Sequence, residues 1–302
     1  MTFHIERYND LQEPNTQISE EEYEDLKSAK STCIFALELE EKFALLMDNY
    51  CEFETELLKL AETSRIWVNR DHGDSMNERL LLDRRIVNLL TASRLYLDQT
   101  DHGISSLFGK PSDELTAVKT FKNVLYDDHW GYRFLEAMRN HVQHAGLPVH
   151  IISYNSRISK DSIPNYTQYT IIPQVSTKKL GENVKFKKTI LSELKEKGEK
   201  VDLRPGIREY INCFSKLHEH IRQKIAEKLE ADRNLYENAI MANSNTEGDT
   251  DSYIYYVKKG EDEVTIEQVA LVEDFLGHLD YLYNCNEINP NMTDTFSANM
   301  NQ

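Results

Sequence analysis

CIFALELEEKFALLMDNYCEFETELLKLAETS (residues 33–64) decides the fold class of this chain. Phe35, Leu39, Phe43, Leu46, Tyr50, Phe53 and Leu57 recur at intervals of three and four. On a helix of about 3.6 residues per turn that spacing lines them along one face. The stretch therefore predicts a long helix with one apolar side. Just upstream, Ser19-Glu20-Glu21-Glu22 sets a capping hydroxyl before three acids, a helix start. Residues 1–18 are polar and are expected to be irregular.

Working outward, Asp71-His72-Gly73-Asp74 predicts a break. Ser75 then caps a second long helix to about Thr100, with Leu82, Ile86, Leu89 and Leu90 inward, and Asp101-His102-Gly103 ends it. Pro111-Ser112-Asp113-Glu114 opens a third helix to about Leu125. Asp127 to Gly131 reads as a kink or short loop, and Tyr132 to His144 as a fourth helix carrying Phe134, Leu135 and Met138. Four such helices predict a bundle over residues 1–147.

The pattern then changes. Residues 149–154 and 166–172 are rich in β-branched and aromatic residues and flank Pro164-Asn165, as in a β-hairpin. A basic run follows from Lys178 to Lys200, so residues 148–204 read as a β-containing basic insertion. Arg204-Pro205 opens what reads as the longest helix. Its stripe of Ile207, Ile211, Phe214, Leu217, Ile221 and Ile225 reaches about Ile240. NSNTEGDTD (243–251) reads as a linker and Tyr253–Val257 as a short strand. Thr265-Ile266-Glu267-Gln268 caps a last helix through Leu282. Residues 205–283 thus pack as a further helical segment, and 284–302 are expected to be a disordered tail. The fold class expected is mostly α: a helical bundle with a small β-hairpin insertion and a long C-terminal helix.

Composition narrows the function. The chain has 302 residues and a formal net charge of −16, which opposes indiscriminate coating of nucleic acid. Cys33, Cys51, Cys213 and Cys285 are scattered without a Cys-x-x-Cys pair, against a zinc site or a disulfide scaffold. No apolar segment at Met1–Arg7 resembles a signal peptide, and no apolar run has the length of a membrane span. A cytoplasmic protein with no membrane partner is expected. His218-Glu219-His220 places its imidazoles on nearly opposite helix faces, a poor metal pair, and reads as solvated helix surface.

One helix end carries chemistry. Arg139-Asn140-His141-Val142-Gln143-His144 stops at Gly146 and Pro148. A permanent cation that can grip phosphate, an amide and a proton-transferring imidazole are the parts for cutting a phosphodiester without a metal. Asn140 and His144, four apart, share a helix face. Arg139 lies about 140° round from His144, within reach of its long stem. His141 is either a second imidazole near the site or an exposed residue. A weaker copy, Arg65…His72, has an apolar residue after the Arg and runs into a loop.

Arg139, the polar Asn140 directly after it, and His144 resemble the catalytic motif of the HEPN family (higher eukaryotes and prokaryotes nucleotide-binding domain). The resemblance covers one helix directly and the first half of the chain by helical context. It implies an all-α, dimeric, metal-independent endoribonuclease without cofactor, of the kind found as toxins or phage-defence effectors. RNA would be the substrate and an antitoxin or regulatory protein a further partner. In that mechanism His144 takes the 2′-OH proton or protonates the leaving 5′-oxygen, Arg139 stabilises phosphoryl charge, and Asn140 orients ring or phosphate. One His does not easily do both acid and base work, so two copies of the motif would meet across a homodimer. In some HEPN toxins a Tyr two residues after the His is modified by an antitoxin. Here that position is Gly146, and that control does not carry over.

The basic run supplies the nucleic-acid-binding candidates Lys178, Lys179, Lys185, Lys187 and Lys188, with Phe186 and the hairpin tyrosines near in sequence. Lysines blunting an exposed sheet edge are the plainer reading. For the whole chain the alternative to an enzyme is a non-catalytic helical scaffold or regulatory binding protein, with Arg139 and His144 in a structural network.

Overall fold

The computed structural model describes residues 1–8, 16–67, 72–159, 166–243, 253–260, 264–288 and 291–293. In chain order these form β1 (Thr2–Tyr8), β2 (Thr16–Ile18), α1 (Glu20–Ile66), α2 (His72–Phe108), α3 (Asp113–Asp128) and α4 (Trp130–His144). They continue as β3 (Ile151–Ser159), β4 (Tyr166–Ser176), α5 (Thr177–Glu182), α6 (Lys188–Lys197), β5 (Lys200–Asp202), α7 (Leu203–Asn243), β6 (Tyr253–Lys259), β7 (Thr265–Leu271) and α8 (Asp274–Cys285). The class is mostly α with an antiparallel β minority.

Helix α1 starts where Ser19 predicts. The Ser19 hydroxyl accepts from the Glu22 N–H at 3.1 Å, and the Glu22 carboxylate accepts from the Ser19 N–H at 2.8 Å. This reciprocal cap satisfies two otherwise orphaned donors. All seven residues of the apolar stripe are buried. At 47 residues α1 exceeds α7, which has 41, so α7 is not the longest helix.

The chain divides into two compact units. The first comprises Met1–Glu41, Thr100–Leu115 and Ile221–Glu287. It holds the four-stranded antiparallel sheet, order β2-β1-β6-β7. Residues 1–18 are therefore not irregular throughout: β1 and β2 pair, and β1 runs against β6 with Ile5 opposite Tyr256. Phe3 and Ile5, on one face of β1, pack in a core with Tyr23, Tyr236 and Ile254. Thr265-Ile266-Glu267-Gln268 is likewise strand rather than helix start, pairing with β6, and the last helix begins only at Asp274.

Helix α2 overrides both expected ends: it already begins at His72, so Ser75 lies inside it instead of capping it, and it runs through Asp101-His102-Gly103 to Phe108. A Cβ on Gly103 would stand 2.0 Å from Phe35 Cε2. The glycine serves close approach to an aromatic ring, not termination. In the same unit Arg222 forks onto Glu40 (2.8 and 2.6 Å), both buried, and the Asn286 amide donates to that carboxylate at 2.7 Å. Asn284 and Cys285 belong to α8 and Asn286 is buried, which corrects the expectation of disorder from Asn284 onward. Of the expected linker at 243–251, Asn243 closes α7; its remaining residues 244–251, the Pro164-Asn165 turn, Asp71 and residues 294–302 lie outside the described residues.

The second unit comprises Lys42–Gln99, Thr116–His220 and Ile288–Gln302. It contains the predicted hairpin as β3 against β4, extended by β5 into a three-stranded antiparallel sheet. The basic run forms α5, α6 and β5. Helix α4 sits close against the start of α7: a Cβ on Gly131 would meet the Gly206 carbonyl oxygen at 2.6 Å. His218 is not solvated surface. It is buried, stacked on Phe43 at 3.8 Å, with its Nδ1 3.0 Å from the Tyr96 hydroxyl.

Among the described residues no helix is long and apolar enough to cross a membrane. The four cysteines are free, Cys33 and Cys213 buried and Cys51 and Cys285 exposed.

Candidate functional site

Helix α4 has two faces with different tasks. Tyr132, Phe134, Leu135, Ala137, Met138 and His141 are buried. Ala137, Asn140, His141 and His144 follow one another at helical spacing and line a cleft of about 290 Å³. Its other walls are Glu136, also on α4, Tyr126 from α3, and Asn183, Lys185, Phe186 and Lys187 between α5 and α6. The helix ends there because the His141 carbonyl accepts from the N–H groups of Ala145 (2.8 Å) and Gly146 (3.2 Å).

Of the sequence candidates, the fold brings Asn140, His144, Lys185 and Lys187 into this cleft. Asn140 and His144 are exposed, and among the described residues their side chains make no hydrogen bond. Lys187 reaches the Tyr126 hydroxyl and lies 4.8 Å from that ring's centre. Lys178 and Lys179 on α5 and Lys188 at the start of α6 are exposed but do not line the cleft.

Arg139 does not line it either. One residue off the Asn140–His144 stripe, it turns about 100° away. Its buried Nε stands 3.5 Å from the Glu136 carboxylate, without hydrogen-bond geometry. The other Glu136 oxygen accepts from the fully buried Tyr210 hydroxyl at 2.6 Å, which also lies 3.0 Å from Ser93 Oγ. Burial, with Glu136 beside it, pushes the Tyr210 hydroxyl's pKa well above its ordinary value, so it stays a donor. Arg139 thus stands beside a carboxylate that lines the cleft without lining it itself. The weaker copy is no better placed: Arg65 forks onto Glu62 in the last turn of α1.

Two histidines complete the site. His141 is buried, and burial holds its pKa below the usual imidazole value. Its Nδ1 is 3.0 Å from the Asn183 side-chain nitrogen. The Asn183 oxygen accepts from the Lys185 N–H at 3.0 Å, so the amide nitrogen is the donor toward His141. The neutral ring therefore carries its proton on Nε2. Behind it, His150 accepts the Ser176 N–H on Nδ1 at 3.0 Å, its ring centre 6.3 Å from that of His141. Burial first, then the charge of Lys179 and the neighbouring His141, push His150 down to about 4. It is neutral and structural at pH 7. The stripe of Ala137, Asn140, His141 and His144 was the available sequence signal for His141. Nothing local marked Asn183 or Tyr126.

Among the described residues no group of three or more His, Cys, Asp or Glu is arranged to hold a metal ion. Comparison with family models, curated proteins and solved structures finds no match for this chain.

Proposed function

We propose that the chain is a metal-independent endoribonuclease acting at the α4 cleft, of the HEPN type that Arg139, Asn140 and His144 resemble, and a toxin or phage-defence effector in role. The observation that carries the reading is the joint presence of Asn140, His141, His144, Lys185 and Lys187 around one opening. His144, exposed and without a partner among the described residues, takes the ribose 2′-OH proton. The 2′-oxygen attacks phosphorus, the P–O5′ bond breaks, and a protonated His144 of a second copy gives its proton to the leaving 5′-oxygen. Lys185 and Lys187 meet the phosphate charge. His141, held neutral with its proton on Nε2, is a hydrogen-bond donor for a phosphoryl oxygen. A local pair of lysines reconciles RNA as substrate with the acidic chain. Arg139 acts through Glu136 as a positioning residue.

The homodimer remains part of the proposal, as the source of a second motif. His141 beside His144 gives one chain two imidazoles, and size-exclusion mass measurement of active protein decides which arrangement works.

One observation favours the non-catalytic scaffold as a second reading: Arg139 turns away from the cleft toward Glu136, whose other oxygen is held by the buried Tyr210. Induced expression of wild-type, His144→Ala and Arg139→Ala chains separates the two. The enzyme reading expects growth arrest and RNA loss with wild type, abolished by His144→Ala in a folded protein. The scaffold reading expects intact RNA throughout.

A further inference from the structure

A second cleft, of about 380 Å³, gathers three aromatic rings from separate parts of the chain: Trp67 just past α1, Tyr154 on β3 and Tyr169 on β4. This volume falls within the range of small-ligand sites, about 300–1,000 Å³. We propose that it is a stacking site for an unpaired base of single-stranded nucleic acid.

Three observations carry this. First, the rings are presented, not packed away. Trp67 is 65% exposed and Tyr154 40% exposed, yet both are anchored. Trp67 is held at its backbone, whose N–H donates to the Thr63 carbonyl at 3.0 Å, and the Tyr154 ring is held by its hydroxyl, which donates to the buried Glu78 carboxylate. Exposed but positioned rings lose little freedom when a flat partner stacks on them. Second, the register puts the tyrosines on one sheet face. Tyr154 opposes Ile171 and Ser156 opposes Tyr169, and residues two apart share a face. Third, the charge is already spent. Arg65 lines the cleft but forks onto Glu62, leaving a rim of neutral donors and acceptors such as Ser75 and Ser156. That combination suits the face and polar edge of a base better than a phosphate, and stacking tolerates any base.

The test uses fluorescence of Trp67. The chain has two tryptophans, so Trp130→Phe leaves one reporter, and His144→Ala in the same protein removes cleavage. This protein is titrated with short oligoadenylate, with an abasic ribose-phosphate oligomer of equal length, and with an aromatic peptide. The expected result is saturable quenching by oligoadenylate only. Binding weakens about 5- to 100-fold on Tyr154→Ala in the same background and, followed by anisotropy of labelled oligomer, on Trp67→Ala. If Trp130→Phe disturbs folding, the anisotropy comparison in the His144→Ala protein stands alone. Equal response to the abasic oligomer would reduce the cleft to backbone charge. A response to peptide alone would make it a protein-docking surface. Either outcome, or no response, overturns the proposal. Because binding is read without cleavage, failure of the ribonuclease reading leaves this result intact.

Discussion

The Asn183 amide donates to His141 Nδ1 across 3.0 Å while its oxygen is held by the Lys185 N–H. One loop residue thereby fixes the tautomer of a helix residue and the place of a cleft lysine. Nitrogen NMR of labelled histidines is expected to show His141 protonated on Nε2 and bare on Nδ1. Asn183→Asp replaces the donor by a carboxylate, so the proton should move to Nδ1 and the imidazole should titrate higher. Identical spectra in the two proteins would refute the contact.

Acid stability follows from His150. Its folded value of about 4 lies below the ordinary 6.5, so the neutral ring is the form the fold prefers. That contribution is complete above pH 6.5 and is lost as pH falls through 4, at most about 3 kcal/mol. His141 shifts in the same direction. Asp83 works oppositely. Burial pushes its carboxyl up to about 6 although it accepts the Val149 N–H at 2.7 Å. Its contribution is complete below about pH 4 and is lost as pH rises through 6. Melting temperature against pH should flatten on the acid side in His150→Asn and steepen there in Asp83→Asn. Parallel curves for all three proteins would rule this out.

The Glu40–Arg222 pair is closed off from solvent, with Glu40 2% and Arg222 8% exposed. Glu40→Ala strands a buried guanidinium and is expected to cost about 3–5 kcal/mol in urea unfolding. The double replacement Glu40→Leu with Arg222→Met should cost clearly less than the sum of its singles. Additive losses would mean the pair is not coupled.

Gly103→Ala reverses an ordinary expectation. Alanine normally stabilises a helix interior by up to about 1 kcal/mol over glycine. Here the new methyl would occupy the Phe35 ring, so a loss of about 1–3 kcal/mol is expected. Phe35→Leu should recover part of it. A rise in melting temperature for Gly103→Ala alone would disprove the close approach.

What could be read from the chain beforehand was what is local. The stripes of α1 and α7 repeat at helical spacing, and β3 and β4 are rich in β-branched and aromatic residues. All of these appear in the structure. β1 was hidden because its long pairing is with β6, some 250 residues away, and its near partner β2 is only three residues long, too short to show a strand pattern. Thr265-Ile266-Glu267-Gln268 imitates a helix cap, and pairing with β6 overrides it. In the cleft, Asn140 and His144 were legible as a four-residue spacing. Arg139 was misplaced because a stem long enough to reach the cleft is held instead by Glu136, whose other oxygen is fixed by Tyr210, 74 residues on.

The central claim is best tested on purified protein incubated with RNA in the presence of EDTA, with chain ends identified. Wild type is predicted to leave 2′,3′-cyclic phosphate and 5′-hydroxyl ends. His144→Ala should lower the rate about 10²- to 10⁴-fold in a protein that melts normally. Lys185→Ala with Lys187→Ala should weaken RNA binding, and Arg139→Ala should lower melting temperature first. Intact RNA with folded wild-type protein, or cleavage that His144→Ala leaves unchanged, would contradict the account.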